Sequence, residues 1–282
     1  MTQTNVPGTN RIAAVFDARS SAGQLAFMPF ITAGDPDVPT FVQLVRTLGA
    51  AGADFIEIGF PYSDPIADGP VIQSSYTRVL ESGTRLKDYL AAVRDLETAT
   101  LPPLLAMVSY AIVLRRGPQA FLGQLAEVGF SGLIVPDLPG DEAQELVQLA
   151  DATGLALVQL VAPTTPERRV QQIVRNARGF LYCVSVAGTT GERDRLPDSL
   201  RSKLKELREH TRLPLAVGFG IRSPEQIDFL RGVADGVIVG SAIVRRVAEL
   251  ANADPQGRAE LLQRIGEYVR GMATAAHALA AR

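Results

Sequence analysis

Three carboxylates fall close together early in the chain. Glu57 lies inside the apolar run Asp54-Phe55-Ile56-Glu57-Ile58-Gly59, and Asp64 and Asp68 lie in the segment that follows, Phe60-Pro61-Tyr62-Ser63-Asp64-Pro65-Ile66-Ala67-Asp68-Gly69-Pro70. Acid–base chemistry needs carboxyl groups in unlike surroundings, one dry enough to keep its proton and another ionised. In a strand, Phe55 and Glu57 share one face and Ile56 and Ile58 the other. The isoleucines suit packing beneath covering helices, so Glu57 is expected to point the opposite way. Burial among apolar neighbours raises a carboxyl pKa, and a value near neutrality lets one group both give and take a proton. A glutamate paired with an arginine or lysine for structural reasons is the competing reading. The following loop favours the chemical one: connections of about 2–6 residues are usual, whereas this one is longer, stiffened by Pro61 and Pro65, and carries two further acids.

The elements that must hold these groups repeat along the chain. Eight apolar runs read as strands: Leu25–Thr32, Asp54–Gly59, Leu104–Ser109, Gly132–Val135, Ala156–Val161, Phe180–Val184, Leu215–Gly218 and Gly236–Val239. They are apolar on both faces, as strands of a covered parallel sheet are. A helical pattern follows each, as in Gly117–Val128 and Asp141–Leu149. Thr165-Pro166-Glu167 reads as an N-cap followed by Pro at the first helical position. Ser223-Pro224-Glu225-Gln226 reads as a capping box. Eight βα units without a linker predict an α/β protein, a single (β/α)8 TIM-type barrel over residues 1–282. Its expected additions are a prefix helix around Arg11–Ser20 and a long Ala-rich helix after Gly257. Such barrels do their chemistry at the C-terminal ends of the strands.

Composition narrows the partners. The 282 residues carry 28 Lys+Arg against 30 Asp+Glu, a net charge of −2 without a basic stripe, which argues against nucleic acid. One cysteine excludes a disulfide framework within the chain. The polar start MTQTNVPGTNR lacks the apolar stretch of a signal peptide, and Leu101–Leu114 falls short of the roughly 20 apolar residues of a membrane span. The expectation is a cytoplasmic protein with no membrane contact. His210 and His277 lie in predicted helices without an acid or cysteine at ligand spacing, so no metal is expected. Cys183 reads as a core thiol, and Arg168, Arg169, Arg245 and Arg246 as solvated faces.

The stretch Ile56-Glu57-Ile58-Gly59-Phe60-Pro61-Tyr62-Ser63-Asp64-Pro65-Ile66-Ala67-Asp68-Gly69 resembles the signature of the tryptophan synthase α-subunit family. The likeness continues, in order, through Pro29–Pro36, Pro136-Asp137-Leu138-Pro139, Gly188-Thr189-Thr190-Gly191, Gly218-Phe219-Gly220 and Gly240-Ser241. It implies cofactor-independent retro-aldol cleavage of indole-3-glycerol phosphate to indole and glyceraldehyde 3-phosphate. Glu57 would be the principal acid–base residue, and Asp68 would bind the indole N–H. Phe30 and Tyr182 would line the indole pocket. Gly220, Gly240 and Ser241, with Gly191, would hold the phosphate through backbone N–H groups and a helix N-terminus. Ala187–Ser199 has the polar, Gly-bearing make-up of a lid, in which Thr190 would order the closed site.

One region departs from the family pattern. Where the family usually has Tyr-x-Asn-Pro after the third strand, this chain has Ser109, Ala111 and Ile112. In the family that region lies near the surface meeting a β-subunit. The expected partner is therefore a tryptophan synthase β-subunit, with coupling weakened or absent. Three alternatives stay open: a free-standing lyase releasing indole for secondary metabolism, a non-catalytic α-like activator of a β-subunit, and another phosphate-binding barrel enzyme.

Overall fold

The computed structural model describes residues 6–66, 68–185, 196–218 and 220–279. Eight parallel strands close in sequence order into a barrel: β1 (Ala26–Thr32), β2 (Ile56–Gly59), β3 (Leu104–Met107), β4 (Phe130–Ile134), β5 (Ala156–Val161), β6 (Leu181–Val184), β7 (Leu215–Gly218) and β8 (Gly236–Val239). The helices are α1 (Pro7–Ser21), α2 (Val38–Ala50), α3 (Pro70–Glu81), α4 (Leu86–Arg94), α5 (Tyr110–Arg116), α6 (Pro118–Val128), α7 (Gln144–Thr153), α8 (Glu167–Asn176), α9 (Ser199–His210), α10 (Pro224–Leu230), α11 (Ser241–Ala248) and α12 (Pro255–His277). The expected barrel, prefix helix and C-terminal helix are all present.

Strand alternation sorts the core into two shells. Ile56, Ile58, Leu104, Ala106, Val217 and Val237 face the helices, while Met28, Phe30, Phe55, Leu105, Met107, Phe180, Tyr182 and Ile238 fill the barrel. Its lower end is closed by α1. Phe16 of that helix packs with ring centroids 5.1 Å from Phe55 and 5.5 Å from Phe180. Along the inner face of β2 the order is therefore Phe55, Glu57, Gly59: an aromatic floor, a carboxyl group, then a glycine against which the Phe30 ring and the Tyr76 hydroxyl close in.

A second device ties the same end together. Asp54, just before β2, accepts hydrogen bonds from Phe27 N at 2.8 Å and Arg19 Nε at 2.6 Å, and lies 2.7 Å from His277 Nε2. One buried carboxylate thus joins α1, β1 and the end of α12. Removing it would strand a charge and a main-chain donor, which is why a buried acid is retained there.

Several local expectations need correction. Each histidine nevertheless meets a carboxylate far away in sequence, His277 with Asp54 at 2.7 Å and His210 with Glu167 at 3.7 Å, contacts that leave the metal expectation unaltered. Thr165 does not cap α8. Its hydroxyl instead accepts from Ala162 N at 3.0 Å, and the helix begins one residue later with Pro166 at the N-cap. The C-terminal helix starts at Pro255 because Asp254 accepts from Gly257 N at 2.7 Å. Arg246 is not fully solvated; its guanidinium lies 3.7 Å from the Tyr268 ring centroid. The Ser223–Gln226 capping box is present, with Gln226 Oε1 accepting from Ser223 N at 3.2 Å. Cys183 is a buried thiol, its pKa pushed up to about 12 by burial. Among the described residues, no helix is long and apolar enough to cross a membrane.

Candidate active site

Glu57 is fully buried within the barrel and points away from the helices, paired in register with Phe30 of β1. Among the described residues, neither carboxyl oxygen has a hydrogen-bond partner. A buried carboxyl without donors holds its proton: burial first, and the nearby Asp68 charge second, raise its pKa from 4.5 to about 8. The arginine clamp of the competing reading is absent among the described residues. At neutral pH this is an acid with a free proton, facing a cleft.

Asp68 closes the other side. Its loop is pinned from below by α3, where Gln73 Nε2 donates to Asp68 O at 2.7 Å and to Pro65 O at 3.2 Å. Asp68 N also donates to Pro65 O at 3.1 Å, so the backbone is held from two sides. Burial raises its carboxyl from 3.8 to about 6, which leaves it mostly ionised at pH 7. The two acids thus have separated pKa values, the pattern that assigns acid and anion to different groups. Asp64 takes no part. It is exposed and is bonded by the neighbouring Ser63 hydroxyl at 2.7 Å.

A narrow cleft, with a cavity volume of about 40 Å³, joins these acids to the far side of the mouth. Phe30, Glu57, Asp68, Tyr182, Gly220, Gly240 and Ser241 all line it, so the structure brings together seven of the residues singled out from sequence. Thr190 and Gly191 lie outside the described residues, as does most of the segment read as a lid. Gly220 has φ +85°, a conformation that glycine adopts without strain. Gly240 is the N-cap of α11 and Ser241 its first residue, so unpaired N–H groups and the helix dipole face the cleft. One end of the cleft therefore suits an anion, and the other a flat apolar group with an N–H.

Ile72, Met107 and Ile238 complete the lining and were not singled out from sequence. Met107 and Ile238 were findable in principle, since each continues the inward face of its strand. Ile72 sits on α3, and only the fold brings it over the barrel.

The departure after β3 is structured. Ser109 caps α5, its hydroxyl accepting from Ala111 N at 3.3 Å and donating to Asp137 Oδ2 at 2.7 Å, while Tyr110 N donates to Asp137 Oδ1 at 2.8 Å. This clip joins the loops after β3 and β4. Ala111 and Ile112 share a rim with Tyr62 and Ile66, the last 85% exposed.

Comparison with known proteins agrees with this geometry. Residues 16–277 match the family model described as tryptophan synthase alpha chain. The chain is 41% identical over 263 residues to the tryptophan synthase alpha chain of Thermoanaerobacter sp. (strain X514), covering 93% of this chain and 98% of that one. It is 47% identical over 239 residues to that of Synechococcus elongatus, covering 84% and 90%. It superposes on a Mycobacterium tuberculosis tryptophan synthase structure with a TM-score of 0.85 at 34% identity, covering 95% of this chain and 98% of the other. The alpha subunit of Legionella pneumophila gives a TM-score of 0.83 at 34% identity, covering 94% and 97%.

Proposed function

Since the chain belongs to the tryptophan synthase alpha chain family and is a lyase that cleaves indole-3-glycerol phosphate, we propose that Glu57 and Asp68 perform the cleavage. The supporting observation is the pair of pKa values on either side of neutrality, about 8 and about 6. Glu57 delivers its proton to C3 of the indole ring, which turns the ring into an electron sink. As the C3–C3′ bond opens toward the ring, the Glu57 carboxylate takes the proton of the 3′-hydroxyl. That oxygen becomes the aldehyde of glyceraldehyde 3-phosphate, and the acid is restored. Positive charge builds on the indole nitrogen when C3 is protonated, and ionised Asp68 accepts the N–H and offsets that charge. The proton balance closes with no cofactor. Phe30 and Tyr182 flank the indole. Gly220, Gly240 and Ser241 hold the phosphate through main-chain donors, together with Gly191, while Thr190 orders the closed site. All of this is assigned to residues 1–282 acting as one domain, in a cytoplasmic setting that a single buried thiol fits.

The test is the pH dependence of indole formation by the purified chain. Below about 6, Asp68 gains a proton and loses its charge; above about 8, Glu57 loses the proton it must donate. The expected kcat profile is a bell with limbs near those values. A rate that keeps rising through pH 9 would remove Glu57 as the acid.

For the partner, we propose a tryptophan synthase β-subunit seated over the rim formed by Ile66, Ala111 and Ile112. The 85% exposure of Ile66 supports a covered state for this rim. Adding a cognate β-subunit is expected to raise the rate of indole formation. An unchanged rate would favour the free-standing lyase, for which the altered residues Ser109, Ala111 and Ile112 speak.

A further inference from the structure

Gly220 lines the cleft, and the segment that follows it, Ile221-Arg222-Ser223, leads directly into α10. Two side chains take up four main-chain groups of this stretch from behind. Gln226 Oε1 accepts from Arg222 N at 2.8 Å and from Ser223 N at 3.2 Å, and its Nε2 donates to Gly220 O at 3.3 Å. The Tyr268 hydroxyl, reaching over from α12, donates to Arg222 O at 2.9 Å. Gln226 is buried, and neither side chain belongs to the lining of the cleft.

Capping alone does not explain a glutamine here. The box needs an acceptor at the third helical position, and glutamate serves there equally, with a charge that suits a helix start. Yet the bond to the cap residue, from Ser223 N, is the longer of the two that Oε1 accepts, and the amide nitrogen is spent on Gly220, six residues back. A glutamate has no donor for that carbonyl and would bring a negative charge up behind a site suited to an anion. Glutamine supplies the donor without the charge.

Peptide geometry carries the effect to the cleft. A planar trans peptide points its C=O and its N–H to opposite sides. Holding Gly220 O toward α10 therefore turns the Ile221 N–H away from α10, and it keeps a partial negative charge off the cleft. Gly220, at φ +85°, makes the turn without strain. Tyr268 holds the next free carbonyl, that of Arg222, in the same way from the rear. Its ring also lies 3.7 Å from the guanidinium of Arg246, which donates to Ala242 O in the first turn of α11. One side chain thus fixes the β7 loop against α11, the two elements at the anion end of the cleft.

We propose that Gln226 and Tyr268 are positioning residues for the phosphate end, which hold the carbonyl oxygens of the β7 loop away from the substrate's phosphate monoester so that the loop meets it with N–H groups. The inference rests on the assignment of the phosphate to Gly220, Gly240 and Ser241. The test compares two inhibitors of indole formation by the purified chain: sn-glycerol 3-phosphate, which carries the phosphate, and indole, which lacks it. Gln226→Glu keeps the capping acceptor and removes the donor. It is expected to raise KM and the Ki of glycerol 3-phosphate together by about five- to twentyfold. The Ki of indole and kcat should stay within about twofold, and the thermal midpoint close to the parent's. Tyr268→Phe deletes a donor, adds no charge and leaves the capping box whole. It is expected to give the same selective pattern at about two- to fivefold. A purely structural role would weaken both inhibitors alike or neither, and either result overturns the proposal. Selective weakening in Gln226→Glu alone would be simple repulsion by the new charge, and overturns it too. A parent that glycerol 3-phosphate does not inhibit competitively loses the phosphate assignment itself, and the roles of Gln226 and Tyr268 with it.

Discussion

Glu57→Gln is expected to lower indole formation by at least about a thousandfold while leaving the barrel folded. The loss should be large because one group serves twice, giving a proton to C3 and taking one from the 3′-hydroxyl, and an amide does neither. The substitution also has a signature in stability. The acid ionises near 4.5 in the unfolded chain and near 8 in the folded one, so the native state holds a proton that the unfolded state releases. The stability this contributes is full below pH 4.5 and is lost as pH rises through about 8. Glutamine has no charge to bury. The thermal midpoint of the variant, measured against the parent from pH 5 to pH 9, should therefore gain with pH up to about 8 and level off beyond it. Activity within about tenfold of the parent would remove Glu57 from the mechanism, and a flat difference in midpoint would contradict its buried, protonated state.

Asp68→Asn is expected to cost about a hundred- to a thousandfold in kcat. Asparagine can still accept the indole N–H through its carbonyl oxygen, so ground-state binding should suffer less than turnover. What disappears is the negative charge that offsets the cation formed when C3 is protonated. The loss should therefore fall on kcat more than on KM, and the acid limb of the pH profile should vanish with the group that causes it. Steady-state kinetics of the variant from pH 5 to pH 9 separate these effects. A mutant defective only in KM would make Asp68 a binding residue.

Much of this arrangement was legible in the chain because it follows from short-range rules. Glu57 could be placed inside the barrel from the alternation of Ile56 and Ile58 with Phe55, and Ser223-Pro-Glu-Gln announced the start of α10. The phosphate end was legible only through the resemblance, since glycines such as Gly220 and Gly240 also serve ordinary turns. Contacts that depend on closure of the ring were out of reach. Asp54 and His277 are 223 positions apart, and nothing local in either predicts the other. The Tyr76 hydroxyl would lie 2.7 Å from a methyl group placed on Gly59, yet Tyr76 follows a helical period and Gly59 a strand period, and no pattern along the sequence relates the two. Thr165 failed as a cap for a nearer reason: its hydroxyl had a competing backbone donor, Ala162 N, three residues before it.

The prefix helix acquires a meaning beyond architecture from where Phe16 ends. By stoppering the barrel's lower opening against Phe55 and Phe180, it lays an aromatic layer beneath the face of β2 that carries Glu57. Burial is the main cause of the raised Glu57 pKa, so a smaller residue at position 16 that admits water from below is expected to lower it.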